Sequence, residues 1–150
     1  MIIFQQLNLV DINEQGKRYK YERPENCPEC NSSKIWGHGF VARNFDGYLY
    51  CLYLKRWICA DCNCVISIRP LNYFPRHHCL IQEIYECIEY RIANGTWIRG
   101  PDLNRQRQGH WYKALNKNIR LILGFDWAEK MLDGFQQLIA IGQCPIYRPT

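Results

Sequence analysis

Four of the nine cysteines stand in two C-x-x-C pairs, Cys27-Pro-Glu-Cys30 and Cys59-Ala-Asp-Cys62, with 28 residues between them. A C-x-x-C turn brings two thiolates to one ion while its backbone N–H groups point at the sulfurs. Two such turns brought together supply the closed tetrahedral S₄ set that zinc accepts. The expectation is one structural Zn²⁺ held by Cys27, Cys30, Cys59 and Cys62, with no open position for substrate or water. A redox dithiol would need one pair within a βαβ setting, which is absent from this sequence. Cys64 competes with Cys62 for the fourth place, and C-x-x-C turn geometry favours Cys62. His38 reads as a strand or surface residue, and His77-His78 as a polar helix start. Cys51, Cys79, Cys87 and Cys144 follow strand or helix patterns or stand alone, and read as core or incidental residues.

The elements around these pairs must bring them together. Residues 1–26 open with the apolar Ile2-Ile3-Phe4, a candidate edge strand, and continue as a charged run that reads as an arm. Residues 27–76 have strand character. A strand over Trp36 to Arg43, a turn at Asn44-Phe45-Asp46-Gly47 and an aromatic strand over Tyr48 to Ile58 make a hairpin. A third strand covers Val65 to Arg69. Together with the two cysteine turns this is the plan of a zinc ribbon.

The period then changes to helical. Ile81, Ile84, Cys87, Ile88 and Ile92 form a stripe, and Asn94-Gly95 ends it. A short helix is expected near Leu103–Gln108 and another over His110 to Leu123, with Trp111, Leu115, Ile119 and Ile122 on one face. Asp126 is a plausible N-cap for a last helix carrying Trp127, Met131, Leu132, Phe135 and Ile139. The tail reads as extended. The fold class is therefore α+β: residues 27–76 a ribbon, 77–124 a helix-turn-helix-like module, and 125–150 a last helix and tail.

The chain carries 19 basic and 14 acidic residues, a net +5. Residues 97–123 hold six basic and one acidic residue, so this one stretch carries a net charge equal to that of the whole chain. Arg99, Arg105, Arg107, Lys113, Lys117 and Arg120 alternate there with Asn104, Gln106, Gln108, His110, Asn116 and Asn118, types that meet phosphates and base edges. Lys113, Lys117 and Arg120 fall on one side of a helix. The bland alternative is the solvated face of a small helical bundle. No apolar run approaches the ~20 residues that cross a bilayer, and the N-terminus carries no signal-peptide pattern. The expected setting is the cytoplasm, at a bacterial nucleoid.

The run Cys27-Pro-x-Cys30, Lys55-Arg56-Trp57-x-Cys59-x-x-Cys62, Arg69-Pro70 and Tyr73-Phe74-Pro75-Arg76 resembles the zinc-ribbon regions of insertion-sequence transposases and transposon-associated proteins. Asn104-Arg105-Gln106-Arg107-Gln108-Gly109-His110-Trp111 is similar to a run in their helix-turn-helix segments. The resemblance spans about residues 27–123 and implies recognition of mobile-element DNA. It implies double-stranded DNA as partner, with a transposase or another protein of the same element beside it. The DNA contacts would come from Arg105, Arg107, Lys113, Lys117 and Arg120, with Asn104, Gln106 and Asn116 as base readers. A DDE-type nuclease needs three carboxylates on an RNase-H-like fold holding two metal ions. Asp126, Glu129 and Asp133 on one helix do not meet that need, so no enzyme is expected. The rival reading is a zinc-ribbon adaptor for protein–protein contacts in a nucleic-acid-processing complex. Its surfaces would be Tyr48, Tyr50 and Tyr53 and the Trp127/Phe135 helix.

Overall fold

A computed structural model describes residues 1–147. The chain is α+β and divides into two compact units, Met1–His78 and a second beginning at Cys79. Residues 148–150, the end of the tail expected to be extended, lie outside the described residues.

The first unit is built on a four-stranded mixed sheet in the order β1-β4-β3-β2. Strands β2 (Ile35–Arg43) and β3 (Leu52–Cys59) form the expected hairpin, and β4 (Val65–Pro70) runs antiparallel to β3. The connection between β2 and β3 is longer than the expected four-residue turn. Arg43 pairs with Leu52, which leaves residues 44–51 as the loop. Gly47 takes the positive φ (83°) that the turn requires. Phe45 is buried and meets Tyr73 edge-on at 4.8 Å, so one turn residue serves as a core anchor and opens the hairpin.

The first 26 residues are not a loose arm. β1 (Ile2–Gln5) pairs in parallel with β4, and the N-terminal ammonium donates to the Val65 carbonyl at 2.7 Å. The charged run begins with a helix, α1 (Leu9–Gln15), capped by Asn8, whose side chain accepts from the N–H groups of Val10 and Asp11. The polar pattern hid this helix because only Leu9 and Ile12 of it are buried; two apolar anchors and a good cap suffice when the helix packs on β3. Cys27, Ile35, Cys59, Ile66 and Ile68 form a buried cluster against which Ile3, Leu7, Tyr21, Trp57 and Cys64 pack. Two of the four paired cysteines thus belong to the hydrophobic core.

The second unit is helical. α2 (Ile81–Asn94) ends as its sequence predicts, with Gly95 at φ 69° and its N–H on the Arg91 carbonyl. Ile84, Cys87 and Ile88 of the expected stripe are buried, whereas Ile92 is exposed. The two helices expected at 103–108 and 110–123 are one: α3 runs over Arg105–Asn118 through Gly109. A mid-helix glycine costs only about 1 kcal/mol relative to alanine, and burial of Gln108, Trp111 and Leu115 around it outweighs that. The link from α2 to α3 is the ten-residue segment 95–104, not the three- or four-residue turn of a helix-turn-helix.

A π-turn over Ile119–Leu123 follows α3. Its wider winding rotates Ile122 off the apolar face, leaving that side chain exposed where burial was expected. Asp126 does not cap the last helix. It lies in a 3₁₀ turn, Phe125–Trp127, and α4 (Met131–Ala140) starts at Lys130 without a side-chain cap. α4 is instead held by burial of Met131, Phe135 and Leu138, and α2, α3 and α4 pack on one another. The tail folds back as far as Tyr147: Asn118 donates from Nδ2 to the carbonyls of Pro145 and Tyr147, each at 2.7 Å.

Gly134 marks the tightest joint of this bundle. A Cβ there would stand 2.6 Å from Cδ1 of the buried Ile119 and 2.9 Å from its Cγ1. The helix-propensity gain of Gly134→Ala, about 1 kcal/mol, is opposed by overpacking of about 1–3 kcal/mol. Denaturant unfolding should therefore find Gly134→Ala less stable than wild type. Adding Ile119→Val, which removes the clashing Cδ1, should recover part of the loss non-additively.

Candidate functional site

The two C-x-x-C pairs lie at matching places. Cys27–Cys30 precedes β2, and Cys59–Cys62 leaves the end of β3, so the hairpin pairing Ile35↔Cys59 sets the turns side by side. Each turn is closed in the same way. The Asn31 N–H reaches the Cys27 carbonyl at 2.8 Å, and the Asn63 N–H reaches that of Cys59 at 3.0 Å. The Cys27 N–H bonds the Ser32 carbonyl and the Cys59 N–H that of Cys64. Asn31 and Asn63 both adopt left-handed backbone (φ 60° and 58°), which asparagine tolerates better than most residues. Both stretches read C-x-x-C-N. The repeat was visible in the sequence, and the asparagines were its missed signal.

The four sulfurs converge. One ligand atom from each of Cys27, Cys30, Cys59 and Cys62 lies within 4.8 Å of every other. Sγ of Cys27 is 3.6 Å from that of Cys62, and Cys30 is 3.5 Å from Cys59. A tetrahedron of thiolates around an ion with bonds of about 2.3 Å has edges of roughly 3.8 Å, so the donor set fits a metal ion. Cys64 stays outside the cluster, its thiol on the Val65 carbonyl. His38 is exposed on β2, and Cys79 and Cys87 are buried in the second unit.

The electrostatics follow from this crowding. The backbone N–H groups of Cys62 and Asp61 hold the Cys59 thiol down to about 6, and the N–H of Cys30 lowers Cys27. Cys62 is pulled down by the Cys64 N–H, yet burial and the neighbouring thiols push it up to about 12. The turns favour thiolates, and four thiolates this close cannot coexist without a cation between them.

Asp61 ties the two turns together in a way that its spacing did not announce. Its carboxylate accepts from Ser32 Oγ at 2.6 Å and pairs with Lys34 Nζ at 3.2 Å. These two contacts hold its pKa below the usual carboxylate value, the serine hydrogen bond first. The Ala60 N–H also reaches the Lys34 carbonyl.

The residues expected to contact nucleic acid divide sharply. Gln106, His110, Lys113, Lys117 and Arg120 are all exposed, at a spacing that places them along one side of α3 and the following π-turn. No carboxylate among the described residues pairs with Lys113, Lys117 or Arg120. Arg105 is exposed beside this stripe, and Asn116 is half-buried. The others have local tasks. Asn104 caps α3, its Oδ1 accepting the Arg107 N–H at 2.7 Å. Arg107 donates to the Asp102 carbonyl and lies over the Trp111 ring. Gln108 is fully buried, joined by two donated bonds and one accepted bond to the backbone of Ile98 and Leu103, and Asn118 holds the tail. Polar side chains in a basic stretch look alike in sequence; burial separates those that brace loops from those that face solvent. Phe135 is likewise buried, which removes it from the aromatic contact surface considered above.

No helix among the described residues is long and apolar enough to cross a membrane. Comparisons with family models, curated proteins and solved structures give no match.

Native mass spectrometry should find one metal ion per chain. Cys27→Ser, Cys30→Ser, Cys59→Ser and Cys62→Ser should each lose it, while Cys64→Ser keeps it. Because Cys62 holds its proton at neutral pH, metal uptake should release protons into a weak buffer. Affinity should fall as pH is lowered, most clearly once Cys59 protonates below about 6.

Proposed function

We propose that this chain is a zinc-stabilised DNA-binding protein, or a transposase-associated module of a transposable element. Zinc is the ion of choice for a closed set of four thiolates with no oxygen or imidazole donor. Its role is structural: it would fix Cys27 and Cys30 against Cys59 and Cys62 and so lock the hairpin as a zinc ribbon.

The observation that carries the DNA reading is the exposed face of α3 and the π-turn that continues it. Gln106, His110, Lys113, Lys117 and Arg120 form a polar and cationic stripe uninterrupted by carboxylates. Such a row suits the regular phosphates of duplex DNA, with Gln106 and Asn116 as the base-reading candidates. The contact is assigned to one presented helix rather than to a helix-turn-helix pair, since the expected turn is part of α3. Arg105 adds charge beside the stripe, whereas Arg107 and Asn104 support the helix start. A transposase of the same element is the natural protein partner under the family resemblance.

Fluorescence anisotropy on a duplex should give an affinity that falls steeply with salt. Lys113→Ala/Lys117→Ala should weaken binding about equally across sequences and reduce the salt slope by roughly two counterions' worth. An unchanged affinity and slope in the double variant would remove α3 from the interface and end this reading.

A further inference from the structure

The second unit carries two adjoining clefts, the first free of the DNA-facing stripe and the second bordered by its Gln106, His110 and Lys113. One, of about 490 Å³, is lined by Trp97, Ile98 and Leu103 together with Arg91, Arg99 and Arg105. The other, of about 620 Å³, shares Arg91, Trp97 and Arg105 and extends along α3 to His110 and Lys113. Neither is lined by an aspartate or glutamate. Lys117 and Arg120 line neither.

This wall is organised rather than a chance meeting of mobile side chains. Arg91 donates from Nη1 to the Gly95 carbonyl, and its guanidinium lies 4.6 Å from the centre of the Trp97 ring. Trp97 in turn meets Tyr112 edge-on at 5.9 Å. The loop beneath is fixed by the buried Gln108, which grips the backbone of Ile98 and Leu103. Arg99 and Arg105 stand exposed at the rim.

The chemistry of the lining limits what fits. A bare inorganic anion would leave the apolar floor of Trp97, Ile98 and Leu103 uncovered. A neutral apolar ligand would leave three arginines without a counter-charge. A ligand with a flat apolar body and a phosphate satisfies both, and each cleft is large enough for one, since small-molecule sites typically run from ~300 to 1,000 Å³. We propose that the Trp97 cleft binds an unpaired nucleotide, with its base against Trp97, Ile98 and Leu103 and its phosphate on Arg91, Arg99 and Arg105. The source of that nucleotide is a frayed or single-stranded DNA end lying beside the duplex held by α3; a free nucleotide carries the same chemistry. This deepens the DNA-binding reading by adding a strand-end specificity to it.

The test uses the 150-residue chain loaded with zinc and three labelled DNAs: a blunt duplex, the same duplex with a short single-stranded extension, and that extension built from abasic sites. The extended duplex should bind about tenfold more tightly than the blunt one, with the abasic form in between, since base contacts and phosphate contacts both contribute. Arg99→Glu, an exposed substitution outside the stripe, should abolish the gain, while its charge reversal weakens blunt-duplex binding far less than it weakens binding of the extended duplex. Lys117→Ala/Arg120→Ala should weaken all three DNAs alike. Calorimetric titration with deoxyadenosine monophosphate and with deoxyadenosine separates the sources. Nucleotide binding as tight as that of the extension, lost in Arg99→Glu and absent for the nucleoside, would assign the cleft to a free nucleotide. Equal affinity for blunt and extended duplexes, together with no heat from the nucleotide, would overturn the proposal, as would an Arg99→Glu effect of the same size on all DNAs. If no duplex binds, the DNA-binding reading fails, and the nucleotide titration alone decides the cleft.

Discussion

Four sulfurs within 4.8 Å of one another are an electrostatic demand as much as a geometric feature. The turn amides that draw each sulfur inward also favour its charge, and charges so close repel unless a cation lies among them. The first unit is arranged around this point. The hairpin pairing fixes where the second turn leaves β3, and the Ser32–Asp61–Lys34 contacts join the turns across it. Cys27 and Cys59 reach inward as far as the apolar cluster of Ile35, Ile66 and Ile68. Convergence of the sulfurs and core formation are therefore not separable here, since loss of Cys27 or Cys59 also disturbs the core.

The second unit solves a different problem, presenting charge from a small helical core. Continuity of α3 through Gly109 matters for that purpose. A break there would have set Gln106 and Lys113 on different axes, whereas one helix aligns them with His110 and Lys117, and Arg120 follows in the π-turn. The π-turn after Asn118 then ends the buried stripe and carries Leu121 and Ile122 outward. The long α2–α3 link, braced by Gln108, leaves room for the Trp97 cleft. A tight turn of three or four residues would have had no space for it.

Some of this was legible from residue types and spacing. C-x-x-C pairs are short-range geometry: two sulfurs three residues apart in a tight turn meet one ion in nearly any fold, and so the candidate ligand set could be named with Cys64 set aside. Strand composition and a turn glycine likewise located the hairpin, and Gly95 located the end of α2, because each reports a local backbone preference. The C-x-x-C-N repeat carried more than was taken from it, since the left-handed asparagine is a local signal too.

Other features had no local signature. Helix α1 rests on two buried side chains meeting β3, and the merging of two expected helices into α3 rests on burial around Gly109; both are outcomes of packing. Asn104, Gln108 and Asn118 have the same chemistry as Gln106, and only their neighbours in space make them caps and braces. The sequence alone determined the thiol pairs, the hairpin strands and the cationic stretch, because these depend on interactions a few residues long. Tertiary structure alone decided which polar groups face water, where the helices run on or stop, and that Arg91, Trp97 and Arg105 share one cleft, because those follow from burial between segments far apart in the chain.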